Sequence, residues 1–297
     1  MRAHHATSHI TGRFVQPPIG AHVSLAAVIQ LNGSSDIERN LAVSAELIRA
    51  AAKAGATFVA TPEATTYLGP HREKVQLAEP VDGPLHTRYG ALARELGIDL
   101  LVGSVAERGP DEGPDGPARS YNTSLLFDSQ GTLTASYRKL HLFDVDLEAA
   151  GGVRFFESER TIAGDDVVVA DTSVGRLGLS ICYDLRFPAL YRRLVTQGAT
   201  LLAVPSAFTL MTGKDHWEVL LRARAIECQA WVLAPAQWGP HDDEGLRRSY
   251  GHACIIDPWG TVVAQCGDGE GYCLAPIVPG RVADIRSRMP VQSHRRL

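Results

Sequence analysis

Cysteine 182 is the residue in this sequence best placed to act as a nucleophile. In VGRLGLSICYDLRFPALYRRL (Val174 to Leu194), Leu177, Leu179 and Ile181 alternate as in a strand, and the run ends at Cys182. Pro188 suits the first turn of a helix whose inner face would be Leu190, Tyr191, Leu194 and Val195. Cys182 therefore falls on a strand-to-helix elbow, where a thiol can project from the sheet edge beside converging backbone N–H groups. The Tyr183 N–H is the one best placed to meet a developing oxyanion. Its neighbours Ser180, Asp184 and Arg186 are polar. The opposing reading is an inert buried thiol, which suits Cys228 on a helix and Cys254 and Cys273 in strands.

A base and a cation lie at comparable places. Glu63, in TPEATTYLG, directly follows the apolar strand Ala56 to Thr61, where packing has no need of a carboxylate. It can alternatively be a helix N-terminal acid favoured by the dipole. Lys139, in YRKLHLFDVD, ends a hairpin strand and leads into Leu140, Leu142 and Phe143, which would draw it inward. The alternative is a solvated edge charge. All three residues sit at predicted strand ends, and they converge if those ends share one side of the fold.

The elements that must hold them belong to a globular chain. It has 297 residues, 45% hydrophobic and 21% charged, which rules out bulk disorder. Lys+Arg of 29 against Asp+Glu of 33 gives 29 − 33 = −4, without the basic excess of a nucleic-acid or anionic-membrane binder. No apolar run is long enough for a transmembrane helix. The first twenty residues, MRAHHATSHITGRFVQPPIG, lack a signal-peptide core and read as a flexible tail, with His4, His5 and His9 as adventitious metal contacts at most. Residues 21–297 read as one domain. The five cysteines are odd in number and contain no C-x-x-C pair, which argues against a disulfide framework or thiolate zinc cluster and for a reducing, cytoplasmic setting.

Strands and helices alternate along the chain. Val23 to Leu31 has the length of a buried strand, and Asp36 caps a helix carrying Ile37, Leu41, Ala45 and Ile48 on one face, stopped by Gly55. Leu85 to Leu96 is helical, Ile98 to Glu107 a strand, and Arg108 to Arg119 a Gly/Pro/Asp-rich loop. Tyr121 to Phe127 and Thr132 to Tyr137 form a hairpin around Asp128-Ser-Gln-Gly131. The second half repeats the plan. GATLLAVPSA (Gly198 to Ala207) matches GATFVATPEA (Gly55 to Ala64) at an offset of 198 − 55 = 143, and Ala253 to Ala264 matches Ser124 to Ala135. Glu63 has Ser206 as its counterpart, so the symmetry breaks there. Two matches in the same order predict two similar α/β layers: a four-layer α-β-β-α sandwich with internal pseudo-two-fold symmetry. A doubly wound single sheet is the alternative, which the hairpins disfavour.

The chain resembles the nitrilase superfamily of carbon-nitrogen hydrolases. The resemblance rests on TPEA around Glu63, YRKLHLFD around Lys139, FFES around Glu157 and SICYDLRFP around Cys182. It continues through Pro205 to Gly239, Arg247 to Gly260 and the terminal His294 to Arg296, covering nearly the whole chain from Val23. Within the superfamily it looks most like the deaminated-glutathione amidase and ω-amidase branch, through PSAFT, TGKDHWE and SYGH. It implies the sandwich fold and a homodimer or higher oligomer, often packed through the helix after the nucleophile, Arg186 to Thr196.

It also implies a mechanism in which Cys182 is acylated, Glu63 moves protons, and Lys139 with the Tyr183 N–H holds the oxyanion. Glu157 matches the family's second glutamate and would orient Lys139 or water. No metal or organic cofactor is required. The expected substrate is a small carboxylated amide, with Arg186, Phe208, Thr209 and Thr212 as candidate binding residues because they flank the nucleophile or lie in the loop that mirrors Glu63. Nitrile or N-carbamoyl hydrolysis would use the same Glu63, Lys139 and Cys182, and a non-catalytic protein with a retained fold is the third reading. His141 and His252 are expected to make structural hydrogen bonds, and Gly267 to Gly271 a turn rather than a phosphate loop.

Overall fold

The computed structural model describes residues 24–110, 112–113, 116–117, 119–146, 154–241, 247–278 and 280–296. The expected tail, residues 1–20 with its three histidines, lies outside them. In chain order the first half forms β1 (Ser24–Leu31), α1 (Ile37–Lys53), β2 (Ala56–Ala60), α2 (His71–Gln76), α3 (Pro84–Leu96), β3 (Asp99–Arg108), β4 (Glu112–Gly113), β5 (Gly116–Pro117), β6 (Ser120–Phe127), β7 (Leu133–Arg138), β8 (Asp144–Asp146), β9 (Arg154–Phe156) and β10 (Thr161–Ile162). There follow β11 (Val169–Thr172), β12 (Gly175–Leu179), α4 (Pro188–Thr196), β13 (Leu201–Ala203), α5 (Leu210–Cys228), β14 (Trp231–Ala234), β15 (Ala236–Pro240), β16 (Arg248–Tyr250), β17 (Cys254–Ile256), β18 (Val262–Gln265), β19 (Gly271–Ile277) and α6 (Arg281–Arg288).

Local signals account for these boundaries. Asp36 accepts the Arg39 backbone N–H at 3.0 Å and starts α1, and Gly55 takes φ +99° just beyond its end. Pro188 opens α4. The expected loop over 108–119 contains a small antiparallel pair, β4 with β5.

Among the described residues, one sheet has nine strands and a second has six. In the first, β1, β2 and β3 run parallel, and β6 and then β7 add antiparallel. In the second, β12, β13 and β14 run parallel, and β17 and then β18 add antiparallel. The repeat read from the sequence is thus a repeat of topology. Its two hairpin turns match bond for bond. Asp128 N–H bonds Thr132 O at 2.9 Å and its carboxylate accepts the Gln130 and Thr132 N–H groups; Asp257 does the same with Thr261, Trp259 and Thr261.

Side chains alternate across the first sheet, as strand geometry requires. Ala27, Ile29, Val59, Leu100 and Leu125 face α1 and α3, whereas Ala26, Val28, Phe58, Ala60 and Leu101 face the second sheet. The second sheet buries its other face under α4 and α5. The result is the four-layer α-β-β-α sandwich, and a single doubly wound sheet is excluded.

The segment just beyond β2 closes tightly on β3 at Gly103, with Pro205 of the second half packed beside it. A Cβ there would lie 1.9 Å from Thr61 O and 2.6 Å from Pro62 O, so only glycine admits this approach.

Candidate active site

The three candidate residues lie at the C-terminal ends of strands. Glu63 lies three residues beyond β2, Cys182 three beyond β12, and Lys139 immediately after β7. All three are buried and, with Glu157, line one cavity of about 860 Å³ of open volume.

Lys139 is the hub. Its Nζ donates to Glu63 Oε1 and to Glu157 Oε2, each at 2.9 Å. Burial alone would lower the Lys139 pKa, but Glu157 and Glu63 outweigh it and hold the ammonium well above the ordinary lysine value. Glu157 shows the reciprocal effect. Burial pushes its carboxyl up, yet Lys139, with Lys74 and the Phe143 N–H, pulls it from 4.5 down to about 2. The Phe143 N–H reaches Glu157 Oε2 at 2.8 Å. Glu157 occupies a one-turn 3-10 helix, Glu157–Glu159.

Glu63 is held on every side. Its Oε2 accepts the Ala207 N–H at 2.9 Å, and its backbone carbonyl accepts Gln237 Nε2 at 2.9 Å. The same carboxylate acts on the Cys182 thiol and disfavours its ionisation.

Cys182 starts a short 3-10 helix, Cys182–Arg186, with φ +48°. A non-glycine residue in this left-handed region stores strain, which its neighbours must over-determine. They do: Cys182 N–H bonds Pro205 O at 2.9 Å, and Asp184 accepts the Ile181 N–H at 2.9 Å. Tyr183 lies in the first turn, where leading N–H groups have no partner within the helix. Burial and the Glu63 carboxylate push the Cys182 thiol well above its ordinary value, against the pull of Lys139. The resting group is therefore a neutral thiol.

Asn122 on β6 is a site residue that sequence reasoning missed. Its Nδ2 donates to Glu63 Oε1 at 2.9 Å and to Glu157 Oε1 at 3.1 Å, and among the described residues its Oδ1 has no hydrogen-bond partner. The available signal was a polar triplet, Asn122-Thr-Ser124, inside an otherwise apolar strand. Lys74 on α2 also lines the cavity and was likewise missed.

The binding candidates separate. Phe208, Thr209 and Thr212 line the cavity, and the two threonine hydroxyls lie 2.7 Å apart. Arg186 is not among the residues lining it. Its guanidinium lies over the outer side of Tyr183 and Phe208, 5.9 and 5.2 Å from their ring centres, and 3.3 Å from His216 Nδ1.

His141 and His252 take structural bonds. His141 Nδ1 lies 2.7 Å from Asp184, and Trp217 Nε1 donates to His252 O at 3.0 Å. Gly267 to Gly271 forms a bend held by Gln30, whose Nε2 donates to Gly267 O at 2.7 Å, and it leads into β19. Cys228, Cys254 and Cys273 lie on a helix and two strands as expected, and burial raises the thiol of Cys228 to about 12.

Comparison with known proteins agrees with this geometry. The family described as Carbon-nitrogen hydrolase matches residues 25–287. The chain is 44% identical to the deaminated glutathione amidase of Bos taurus over 278 residues, 93% of this chain and 83% of that one. It is 42% identical to the deaminated glutathione amidase of Synechocystis over 273 residues, 91% and 97% of the two chains. Among solved structures, it superposes on the Caenorhabditis elegans NitFhit protein with a TM-score of 0.83 at 43% identity, covering 92% of this chain and 65% of that one. Saccharomyces cerevisiae Nit3, a member of branch 10 of the nitrilase superfamily, gives 0.79 at 30% identity, with 92% and 97% covered. A thiol, two carboxylates and an ammonium gathered at the ends of two pseudo-symmetric sheets, in a chain matched along nearly its full length, make this protein a member of the carbon-nitrogen hydrolase family.

Proposed function

We propose that the protein is a thiol-dependent amidase that hydrolyses a small carboxylated amide, of the deaminated-glutathione or α-keto acid ω-amide kind, through an acyl-Cys182 intermediate. The observation that carries this reading is that Cys182, Glu63 and Lys139 line one cavity, with Lys139 Nζ donating to the Glu63 carboxylate at 2.9 Å.

An amide is a poor electrophile and its nitrogen leaves only when protonated, so two acyl transfers replace one difficult hydrolysis. As Cys182 Sγ bonds to the carbonyl carbon, its proton passes to Glu63 and the C=O electron pair moves onto oxygen. Lys139 Nζ and the Tyr183 N–H receive that oxyanion; losing one such donor typically costs ~10²–10³ in rate. Glu63 then protonates the nitrogen, the C–N bond breaks, and ammonia or an amine departs from the thioester. Glu63 next takes a proton from water as its oxygen attacks. The C–S bond breaks, the acid leaves, and the proton returns to sulfur. Glu157 keeps Lys139 charged and aimed. Phe208, Thr209 and Thr212 contact the rest of the substrate.

The proposal extends to the setting. Residues 21–297 form the catalytic unit behind a tail at 1–20. The chain is a homodimer or larger homo-oligomer that uses the helix after the nucleophile, whose outer residues Ala189, Arg192 and Arg193 are exposed. It works in the cytoplasm. Its cysteines are free, which suits a reducing compartment, and among the described residues no helix is long and apolar enough to cross a membrane.

The test is release of ammonia or amine from a panel of keto-acid amides, carbamoyl amino acids and nitriles. Turnover of a carboxylated amide, abolished in a folded Cys182→Ala variant and kept in Cys228→Ala, is the expected result. Preference for a nitrile or a carbamoyl compound would replace this reading with another reaction of the family, and hydrolysis surviving alkylation of Cys182 would remove its nucleophilic role.

A further inference from the structure

The cavity contains a cation that the chemistry above does not use. Lys74 projects from α2 into the space lined by Cys182, Lys139 and Glu157. Among the described residues its ammonium makes no hydrogen bond and no ion pair, while its backbone N–H donates to Pro70 O at 3.1 Å. This contrasts with Lys139, whose ammonium donates to two carboxylates. The other groups on that wall are otherwise occupied. Arg247 donates to Gly69 O at 2.7 Å and lies over the Phe155 ring, and His71 packs edge-on to the same ring at 4.6 Å. Burial pushes the His71 imidazole down to about 3, so it is neutral near pH 7.

Four basic side chains, Lys74, Lys139, Arg247 and Arg248, line the cavity against two carboxylates, Glu63 and Glu157. Those two carboxylates are both bonded to Lys139. The cations of the cavity beyond Lys139 are therefore Lys74, Arg247 and Arg248. An ammonium held partly out of water without a partner costs free energy until an anion arrives. Burial indeed draws the Lys74 pKa below the ordinary lysine value.

Resting on the amidase reading, we propose that Lys74 is a specificity-determining residue: its ammonium binds a carboxylate at the far end of the substrate while the amide lies over Cys182. The substrate class is thereby narrowed to amides carrying a remote anion. Neutral amides leave Lys74 unpaired in the complex and are discriminated against for that reason.

The experiment compares glutaramate with pentanamide, which have the same chain length and differ in one carboxylate, in the wild type, Lys74→Met and Lys74→Arg. The wild type is expected to favour glutaramate. In Lys74→Met, KM for glutaramate should rise ~10–100-fold, the span of one hydrogen bond to a charged group, with kcat changed little. Pentanamide should change by less than about twofold, and Lys74→Arg should keep most of the preference. Equal losses on both amides, or no change on either, would overturn the assignment. A second measurement does not depend on turnover. Glutarate should protect Cys182 from iodoacetamide in the wild type and do so ~10–100-fold less well in Lys74→Met. If the wild type hydrolyses neither amide, the amidase reading fails while this protection still decides the role of Lys74; equal protection in the two proteins sinks it.

Discussion

The carboxylate of Asp184 accepts two hydrogen bonds from His141, one from its backbone N–H at 3.0 Å and one from ring Nδ1 at 2.7 Å. It also accepts the Tyr137 hydroxyl at 2.7 Å and the Ile181 N–H at 2.9 Å. Asp184 is two residues after Cys182, while Tyr137 and His141 bracket Lys139 by two on either side. One fully buried carboxylate thus locks the thiol-bearing turn to the strand end that carries the ammonium.

Removing that lock should separate the two. Asp184→Ala leaves a hydroxyl, an imidazole N–H and two backbone N–H groups without their acceptor. A loss of roughly 2–4 kcal/mol in urea-induced unfolding is expected, since each stranded buried group costs ~1–3 kcal/mol and partial relaxation offsets some of it. kcat should fall in the folded fraction, and KM less. Wild-type stability in this variant would show that the network does not hold the turn.

The raised thiol predicts a particular alkylation profile. Cys182 is a neutral thiol at rest, because burial and Glu63 oppose the thiolate. Without substrate, the rate of its modification by iodoacetamide should keep rising with pH through 9, the ordinary thiol value, with no plateau below it. A plateau near pH 6 would reveal a resting thiolate and contradict this balance of charges.

Glu157 should make stability depend on acid. Its folded pKa lies at about 2, below the ordinary 4.5, so the unfolded chain binds its proton first as pH falls. The stabilisation is fully present above about 4.5 and lost as pH drops through about 2. The stability difference between wild type and Glu157→Gln, measured by denaturant titration, should therefore shrink steadily from pH 5 towards pH 2. A difference independent of pH over that window would contradict the ion pair with Lys139.

Gly103→Ala tests the close approach of β3 to the segment that leads into Glu63. The added methyl would meet backbone oxygens of Thr61 and Pro62, which lead directly to Glu63. Overpacking of this kind typically costs ~1–3 kcal/mol. Thermal unfolding should shift downward, and activity should fall further than stability because Glu63 is displaced. An unchanged melting temperature would mean that the two strand ends can move apart freely.

Whereas the short helix α2, the terminal α6 and the small strands β8 to β11 were not legible in the sequence, the alternation of strands and helices, the elbow at Cys182, the two Asp-x-x-Gly hairpins and the internal repeat were. Each depends on neighbouring residues: side-chain alternation, a proline at a helix start, an aspartate and a glycine placed three apart. The same local logic separated Cys182 from Cys228, one at a strand end among polar neighbours and the other closing a buried helix face. Tertiary structure alone decided which groups touch. Asn122 reaches Glu63 across 59 positions, Lys139 reaches it across 76, and Ala207 across 144. The first two contacts close because β2, β6 and β7 share one sheet, and the third because the second half packs against it. Tertiary structure likewise places Arg186 over the Phe208 ring and Lys74 in the cavity. Sequence periodicity specifies which face of an element is buried, but not which element lies across from it, and ion pairs form between elements.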